Sequence, residues 1–407
     1  MRATATALMM AMTMAATMAA PTPAFSADPG LAARLDSVVD RAVAEQRIVG
    51  TVVLVAEDGR IVYRRAAGLA DRESRRPMRE DAVFRLASVS KPFVTVAALA
   101  LAERGALRLD DPVTRFLPDF RPALPDGRRP EITVRHLLTH SAGLTYSFFE
   151  PPGGPYHQAG VSDGIDLPGF GLEENLRRIA SAPLLYEPGR GWSYSVATDV
   201  LGAVVERAGG APLPDMVERL VTGPLGLRDA GFTAREPDRL AVPYADGSPR
   251  PVRMTTLQEM PFAASTILYS PPRALDPTAF PSGGAGMVGT AGDVLALLEA
   301  LRTGGGPVLS RDGVRALVAN AVGDRELGLI PPGWRWGLGF PVLQDPAAAG
   351  TPQSAGTWQW GGVYGHSWFV DPARRLTVVA LTNTAVAGMA GAFPDGIRDA
   401  VYGTGAR

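Results

Sequence analysis

Strand signals stand at both ends of this 407-residue chain with a helical block between them, an order that few architectures satisfy. Residues 51–56 and 60–66 read as strands around Asp58-Gly59, a strong hairpin signal because both residues tolerate the positive φ of a tight turn. Residues 367–370 and 376–381 flank Asp371-Pro372-Ala373-Arg374 as a second hairpin. Apolar residues at 31, 35, 38, 39, 42 and 43 predict an amphipathic helix over 31–43. Residues 89–104 form a mostly apolar helical run stopped by Gly105, suited to burial on both sides. A short helix over 394–402 closes the chain. Between about 107 and 280 the sequence is rich in Pro and in short helical stretches, at 172–181, 196–207 and 215–221. The simplest assembly is an α/β (α+β) fold, one antiparallel sheet built from both ends and carrying helices, plus a mainly helical insertion. The expected organisation is a discontinuous sheet domain, 27–105 with 285–407, and an insertion domain, 106–284. No internal repeat is visible.

Arg2 precedes a Thr-diluted apolar stretch over 3–20, which Pro21 and Pro23 end. Ala24-Phe25-Ser26 offers small residues where a signal peptidase reads, so a signal peptide over 1–26 and a periplasmic or secreted mature protein are expected. No later segment is apolar for long enough to span a bilayer. The formal net charge is −1 and no run of Lys or Arg could follow a phosphate backbone, so neither nucleic acid nor an anionic membrane is an expected partner. The chain has no cysteine, which excludes disulfides, Cys–zinc sites and a thiol nucleophile together. Neither a metal nor a cofactor is expected.

Of the 40 Lys and Arg residues, Lys91 is the sole lysine. A background that supplies Arg for every other positive charge has kept Lys where Arg cannot substitute. An ammonium can lose its proton when its pKa is lowered; a guanidinium effectively cannot. Lys91 is thus a candidate general base. Ser88-Val89-Ser90-Lys91 sets Ser88 three residues earlier, at or just before a helix start, so amine and hydroxyl share a helix face. Ser90 does not face Lys91. The helix N-terminus favours developing negative charge, and partial burial with nearby Arg is expected to lower the amine's pKa.

Ser-x-x-Lys within Phe84-Arg85-Leu86-Ala87-Ser88-Val89-Ser90-Lys91-Pro92-Phe93 resembles the first motif of the serine β-lactamase and penicillin-binding protein superfamily. The stretch from Ile132 to Leu144, with His136-Leu137-Leu138-Thr139-His140-Ser141-Ala142-Gly143 at its heart, resembles a segment of the class C β-lactamase branch. Tyr194-Ser195-Val196 resembles that branch's Tyr-x-Asn motif, and Trp360-Gly361-Gly362-Val363 stands where the superfamily carries Lys-Thr-Gly. The resemblance implies a β-lactamase/penicillin-binding-protein-like fold over essentially the whole mature chain.

Two departures narrow the branch. With no second lysine, Lys-Thr-Gly cannot exist, and the cation that grips a penicillin or peptide carboxylate is missing from that strand. Arg302-Thr303-Gly304 follows a helical run over 294–301 and reads as a helix end. Val196 replaces the Asn that would hydrogen-bond a substrate amide. Such an apolar site should prefer uncharged esters, since carboxylate recognition needs paired donors. Tyr-Ser-Val with Trp-Gly-Gly resembles the family VIII carboxylesterases, the EstB type in particular. That resemblance implies Ser88 as nucleophile, Lys91 and Tyr194 sharing general-base duty, and Tyr194 protonating the leaving alcohol. It implies an oxyanion hole from the backbone N–H groups of Ser88 and Val363, with Gly361 and Gly362 allowing close approach and Trp360 either walling the pocket or packing the sheet.

Other signals carry less. Gly160-Val161-Ser162-Asp163-Gly164 matches the Gly-x-Ser-x-Gly elbow of α/β-hydrolases, but both flanks read as loop and the motif needs a strand before it and a helix after it. EstB-type esterases carry a similar non-catalytic match. His136 and His140 are four apart, yet no His-Glu-x-x-His and no Cys completes a zinc site. His366 could nominally complete a Ser-His-Asp set, although its place beside the second hairpin suits a structural or pocket-edge role. The expectation is a serine carboxylesterase that hydrolyses or transesterifies small acyl esters. The competing readings are a β-lactamase or D-Ala-directed peptidase, and a non-catalytic binding protein of the same fold.

Overall fold

A computed structural model describes residues 28–404. The leader expected over 1–26 lies outside the described residues. Among the described residues no helix is long and apolar enough to cross a membrane.

The sheet is built from both ends of the chain. Strands β1 (Gly50–Glu57), β2 (Arg60–Asp71) and β3 (Arg76–Pro77) come from the N-terminal part. Strands β4 (Trp334–Trp336), β5 (Pro341–Leu343), β6 (Trp358–Gly362), β7 (His366–Asp371) and β8 (Leu376–Thr382) come from the C-terminal part. The spatial order is β4-β5-β6-β7-β8-β1-β2-β3, antiparallel throughout. The two ends meet at β1 and β8, where Thr51 pairs with Thr382 and Glu57 with Leu376. Both expected hairpins are present. Asp58 (φ +52°) and Gly59 (φ +80°) form the first turn, matching the right-handed strand twist. In the second, Asp371 Oδ1 accepts from the Arg374 N–H at 3.1 Å.

Helices cover both faces, which is why β1 and β8 read as unbroken apolar runs. Val53, Val55, Val378 and Ala380 turn to one side, against α1 (Leu31–Ala44) and the C-terminal helix over Ala392–Tyr402. Val52, Leu54, Val379 and Leu381 turn to the other, onto the larger core. That core is organised around α2 (Ser90–Glu103), which is buried from Ser90 to Leu101 and packs on α3 (Ala197–Gly209). Burying Phe93, Val94, Val96, Leu99 and Leu101 at roughly 1.5–3 kcal/mol each makes α2 a rigid platform for whatever its first turn carries. The helical run at 294–301 is α4 (Ala291–Arg302); Thr303 caps its end and Gly304 takes φ +104°, so Arg302-Thr303-Gly304 is a helix end.

The middle of the chain is less purely helical than expected. Gln258–Phe262 and Ser265–Tyr269 pair as a hairpin, and Tyr244–Ala245 pairs with Val252–Arg253. The residues expected as a helix over 215–221 split into Leu213–Val217 and a wider π turn over Glu218–Thr222.

Candidate active site

Ser88 sits in a single 3-10 turn, Ala87–Val89, that runs directly into α2. The residue before it, Ala87, holds φ +46°, a conformation that non-glycine residues rarely adopt. Lys91 lies one turn further on. Its Nζ is 3.1 Å from Ser88 Oγ and donates to the Tyr146 hydroxyl at 3.0 Å and the Gly284 carbonyl at 2.8 Å. The lysine is fully buried. Burial draws its pKa down to about 7, and the Asp199 carboxylate opposes that fall. No arginine contributes, contrary to the sequence expectation; desolvation does the work.

Tyr194 enters from the segment before α3, whose Ser195 N–H donates to His140 Nδ1 at 3.2 Å. The Tyr194 hydroxyl donates to Ser88 Oγ at 2.7 Å and accepts from Trp360 Nε1 at 3.1 Å. Lys91 Nζ stands 4.6 Å from the centre of the Tyr194 ring. Burial pushes the Tyr194 phenol above its ordinary value, while the bonds with Ser88 and Trp360 pull the other way.

Strand β6 brings the remaining residues. A Cβ on Gly362 would lie 2.5 Å from the Leu86 carbonyl oxygen, and one on Gly361 would lie 2.5 Å from that of His366. Only glycine lets the strand lie this close to the Ser88 turn. The Gly362 carbonyl accepts from the Gly365 N–H at 2.8 Å, which turns the Val363 N–H on the same trans peptide the opposite way. Among the described residues neither the Ser88 nor the Val363 N–H donates to a protein carbonyl. Trp360 both packs on Trp336, ring centres 5.2 Å apart, and faces the cavity. Val196 is fully buried.

Ser88, Tyr194, Trp360, Gly361 and Val363 line one cavity of about 480 Å³, walled by Phe148, Phe149 and Phe262. The single basic residue lining it, Arg398, is paired with Asp395 and Asp399.

Two participants carry no sequence signal of their own. Tyr146 lies two residues beyond the class C-like segment and receives the Lys91 ammonium. Asp199, fully buried in the first turn of α3, accepts from the Ser282 hydroxyl at 2.5 Å and the Gly284 N–H at 3.5 Å. It thereby braces the loop whose carbonyl holds Lys91.

The other serine and the histidines have different partners. Ser162 is buried outside the cavity, its hydroxyl donating to Asp166 and its N–H to Asn175 Oδ1 at 2.9 Å. The stretch before it includes a helical turn, Pro155–Ala159, where loop was expected. His136 Nδ1 accepts from the Thr133 N–H at 3.2 Å as part of a helix cap. His140 packs on Tyr194 and Trp336. His366 Nε2 lies 2.7 Å from the Arg85 carbonyl, and burial lowers its pKa to about 4. These histidines support backbone and rings, not a shared centre.

The family model described as Beta-lactamase matches residues 35–400. The chain is 57% identical over 385 residues to Esterase EstB of Burkholderia gladioli, spanning 93% of this chain and 97% of that one. The solved structure of EstCE1, described as a hydrolase with promiscuous acyltransferase activity, superposes with a TM-score of 0.89 at 50% identity, over 92% of this chain and 99% of that one. Monacolin J acid methylbutanoyltransferase of Aspergillus terreus is 34% identical over 240 residues, 54% of this chain and 55% of that one. The chain belongs to the beta-lactamase family, and within it stands with the family VIII esterases whose Ser-x-x-Lys, Tyr-Ser-Val and Trp-Gly-Gly segments it resembles.

Proposed function

We propose that the chain is a serine carboxylesterase in which Ser88 is acylated, Lys91 takes its proton and Tyr194 protonates the leaving alcohol. The observation that carries this is the contact of three side-chain ends, Lys91 Nζ at 3.1 Å and the Tyr194 hydroxyl at 2.7 Å from Ser88 Oγ, with Ser88 and Tyr194 lining the cavity and Lys91 buried behind them. At neutral pH a lysine with a pKa of about 7 is substantially an uncharged amine, able to accept the Ser88 proton as Oγ attacks the ester carbonyl. The phenol, pushed up by burial, is still protonated and can donate. The carbonyl oxygen then carries negative charge, and the free Ser88 and Val363 N–H groups are the donors available to it. Collapse breaks the ester C–O bond; the alkoxide takes the Tyr194 proton, and the Lys91 ammonium restores the phenol. Water repeats the sequence on the acyl-enzyme and releases the acid. An alcohol in the same cavity would take the acyl group instead, giving transesterification.

The substrate class follows from the walls. Near Ser88 the lining is aromatic, and the one guanidinium in the cavity is already neutralised by two carboxylates, so an uncharged ester fits better than a penicillin or peptide carboxylate. The Thr-diluted apolar leader ahead of Pro21 supports export of the enzyme. Rapid quench with p-nitrophenyl butyrate followed by mass spectrometry tests the assignment. A butyryl adduct on the Ser88 peptide, absent together with turnover in Ser88→Ala, is expected; an adduct on Ser162, or efficient nitrocefin turnover with negligible esterase activity, overturns it.

A further inference from the structure

A second feature lies behind the Ser88 turn and is independent of the acyl-transfer chemistry. Arg85, Arg273 and Tyr364 line a small cavity of about 20 Å³, room for one atom-sized guest. Arg273 is 6% exposed and Tyr364 5%. Among the described residues neither arginine forms an ion pair with a carboxylate. Arg85 donates only to the carbonyls of Pro271, at 2.7 and 2.9 Å, and Ala241, at 2.9 Å. Arg273 donates to the carbonyls of Asp166, at 2.6 Å, and Phe280. Each guanidinium has five N–H donors, so both retain unused ones. The nearby carboxylates of Asp166 and Asp199 accept from the hydroxyls of Ser162 and Ser282 instead.

The Tyr364 hydroxyl is buried without any hydrogen-bond partner. Burial raises its pKa to about 12, against the pull of the two guanidinium charges beside it. The hydroxyl of Ser270, which also lines the cavity, is committed to the Thr256 carbonyl at 3.1 Å. Two buried guanidinium groups without a carboxylate in contact, Arg273 being offset only at longer range by Asp166 and Asp199, and an orphan donor around one small space form a poor setting for an isolated water, which needs acceptors for its own protons. Buried charge is tolerated when it is paired.

We propose that a small monovalent inorganic anion, chloride in the first instance, binds between Arg85, Arg273 and Tyr364. Its position gives it a structural consequence. Arg85 stands three residues before Ser88, and Tyr364 directly follows Val363, so the ion would tie the serine turn to the strand end that faces it.

The test uses the whole protein. Crystals soaked in sodium bromide should show an anomalous peak among Arg85, Arg273 and Tyr364. In solution, replacing sodium gluconate by sodium chloride at equal ionic strength should raise the thermal midpoint by about 2–3 °C, saturably. Tyr364→Phe removes one donor with little change in shape and should shrink that increment at least severalfold. Absence of a bromide peak, or an ordered water in its place, overturns the proposal. So does a peak with identical midpoints in the two salts, which would mark an adventitious ion only.

Discussion

The indole N–H of Trp360 reaches the Tyr194 hydroxyl at 3.1 Å, so the first residue of the Trp-Gly-Gly segment supports the phenol that touches Ser88. Trp360→Phe keeps a ring against Trp336 and loses the donor. A single hydrogen bond is worth about 0.5–1.5 kcal/mol, so kcat should fall about 2- to 10-fold with KM nearly unchanged, measured on p-nitrophenyl butyrate. A change in KM alone would mean the indole serves only to bind substrate.

In the proposed mechanism Lys91 sets the pH response. The amine must be neutral to accept a proton, so kcat/KM should rise tenfold per pH unit below about 7 and level off above it. Lys91→Arg keeps the charge and removes the ability to shed a proton, and should lower kcat at least about 10³-fold. Stability should respond with a definite sign as well. The folded pKa lies below the ordinary lysine value of 10.5, so between about 7 and 10.5 the unfolded chain binds the extra proton. This group therefore makes stability increase as pH rises through that window and adds no slope below it. Denaturant titrations at several pH values should show that increment in the wild type and not in Lys91→Met.

Tyr146 accepts from the Lys91 ammonium, a bond that favours the charged amine. Tyr146→Phe should therefore move the acid limb of the pH profile to lower pH while reducing kcat about tenfold. An upward shift of that limb would contradict the assigned direction of the bond.

Gly362 carries a geometric load. Its absent Cβ would meet the Leu86 carbonyl at 2.5 Å and Val89 Cγ2 at 3.3 Å, so Gly362→Ala must push β6 away from the Ser88 turn. A displacement approaching 1 Å between the reacting serine and its facing N–H groups should lower kcat about 10²-fold. The variant should remain folded by circular dichroism.

Ser162→Ala supplies the contrast. The Ser162 hydroxyl serves the buried Asp166 carboxylate, whose pKa burial already raises, so esterase activity should persist while the protein loses about 1–3 kcal/mol of stability in urea titration.

The parts of this site legible in the sequence are those governed by local spacing or by chemical necessity. Ser88 and Lys91 share a helix turn, and the isolation of Lys91 among arginines marks it on chemical grounds alone. Gly361 and Gly362 announce a close approach without naming the partner. Tyr146 and Asp199 carry no such mark: Tyr146 lies in irregular chain and Asp199 looks like an ordinary acidic residue early in a helix. Their contacts with Lys91 and Gly284 span distant sequence. The hairpin at Gln258–Tyr269 is hidden for a local reason. Pro261 breaks the donor pattern of a strand, and Ala263, at φ +50°, occupies a turn position where Gly or Asn would have signalled a reversal.

The pairing of β1 with β8 also bears on how the molecule comes into being. A ribosome has delivered nearly the entire polypeptide before Thr51 can find Thr382, so the central strand waits, with one edge bare, for the last segment to arrive. Arg34 Nε donates to the Ala400 carbonyl at 2.8 Å, bringing the first helix and the last side by side. Joining Asp28 to Thr404 by a short linker and opening the chain in a surface loop would turn that late, long-range encounter into an early, local one.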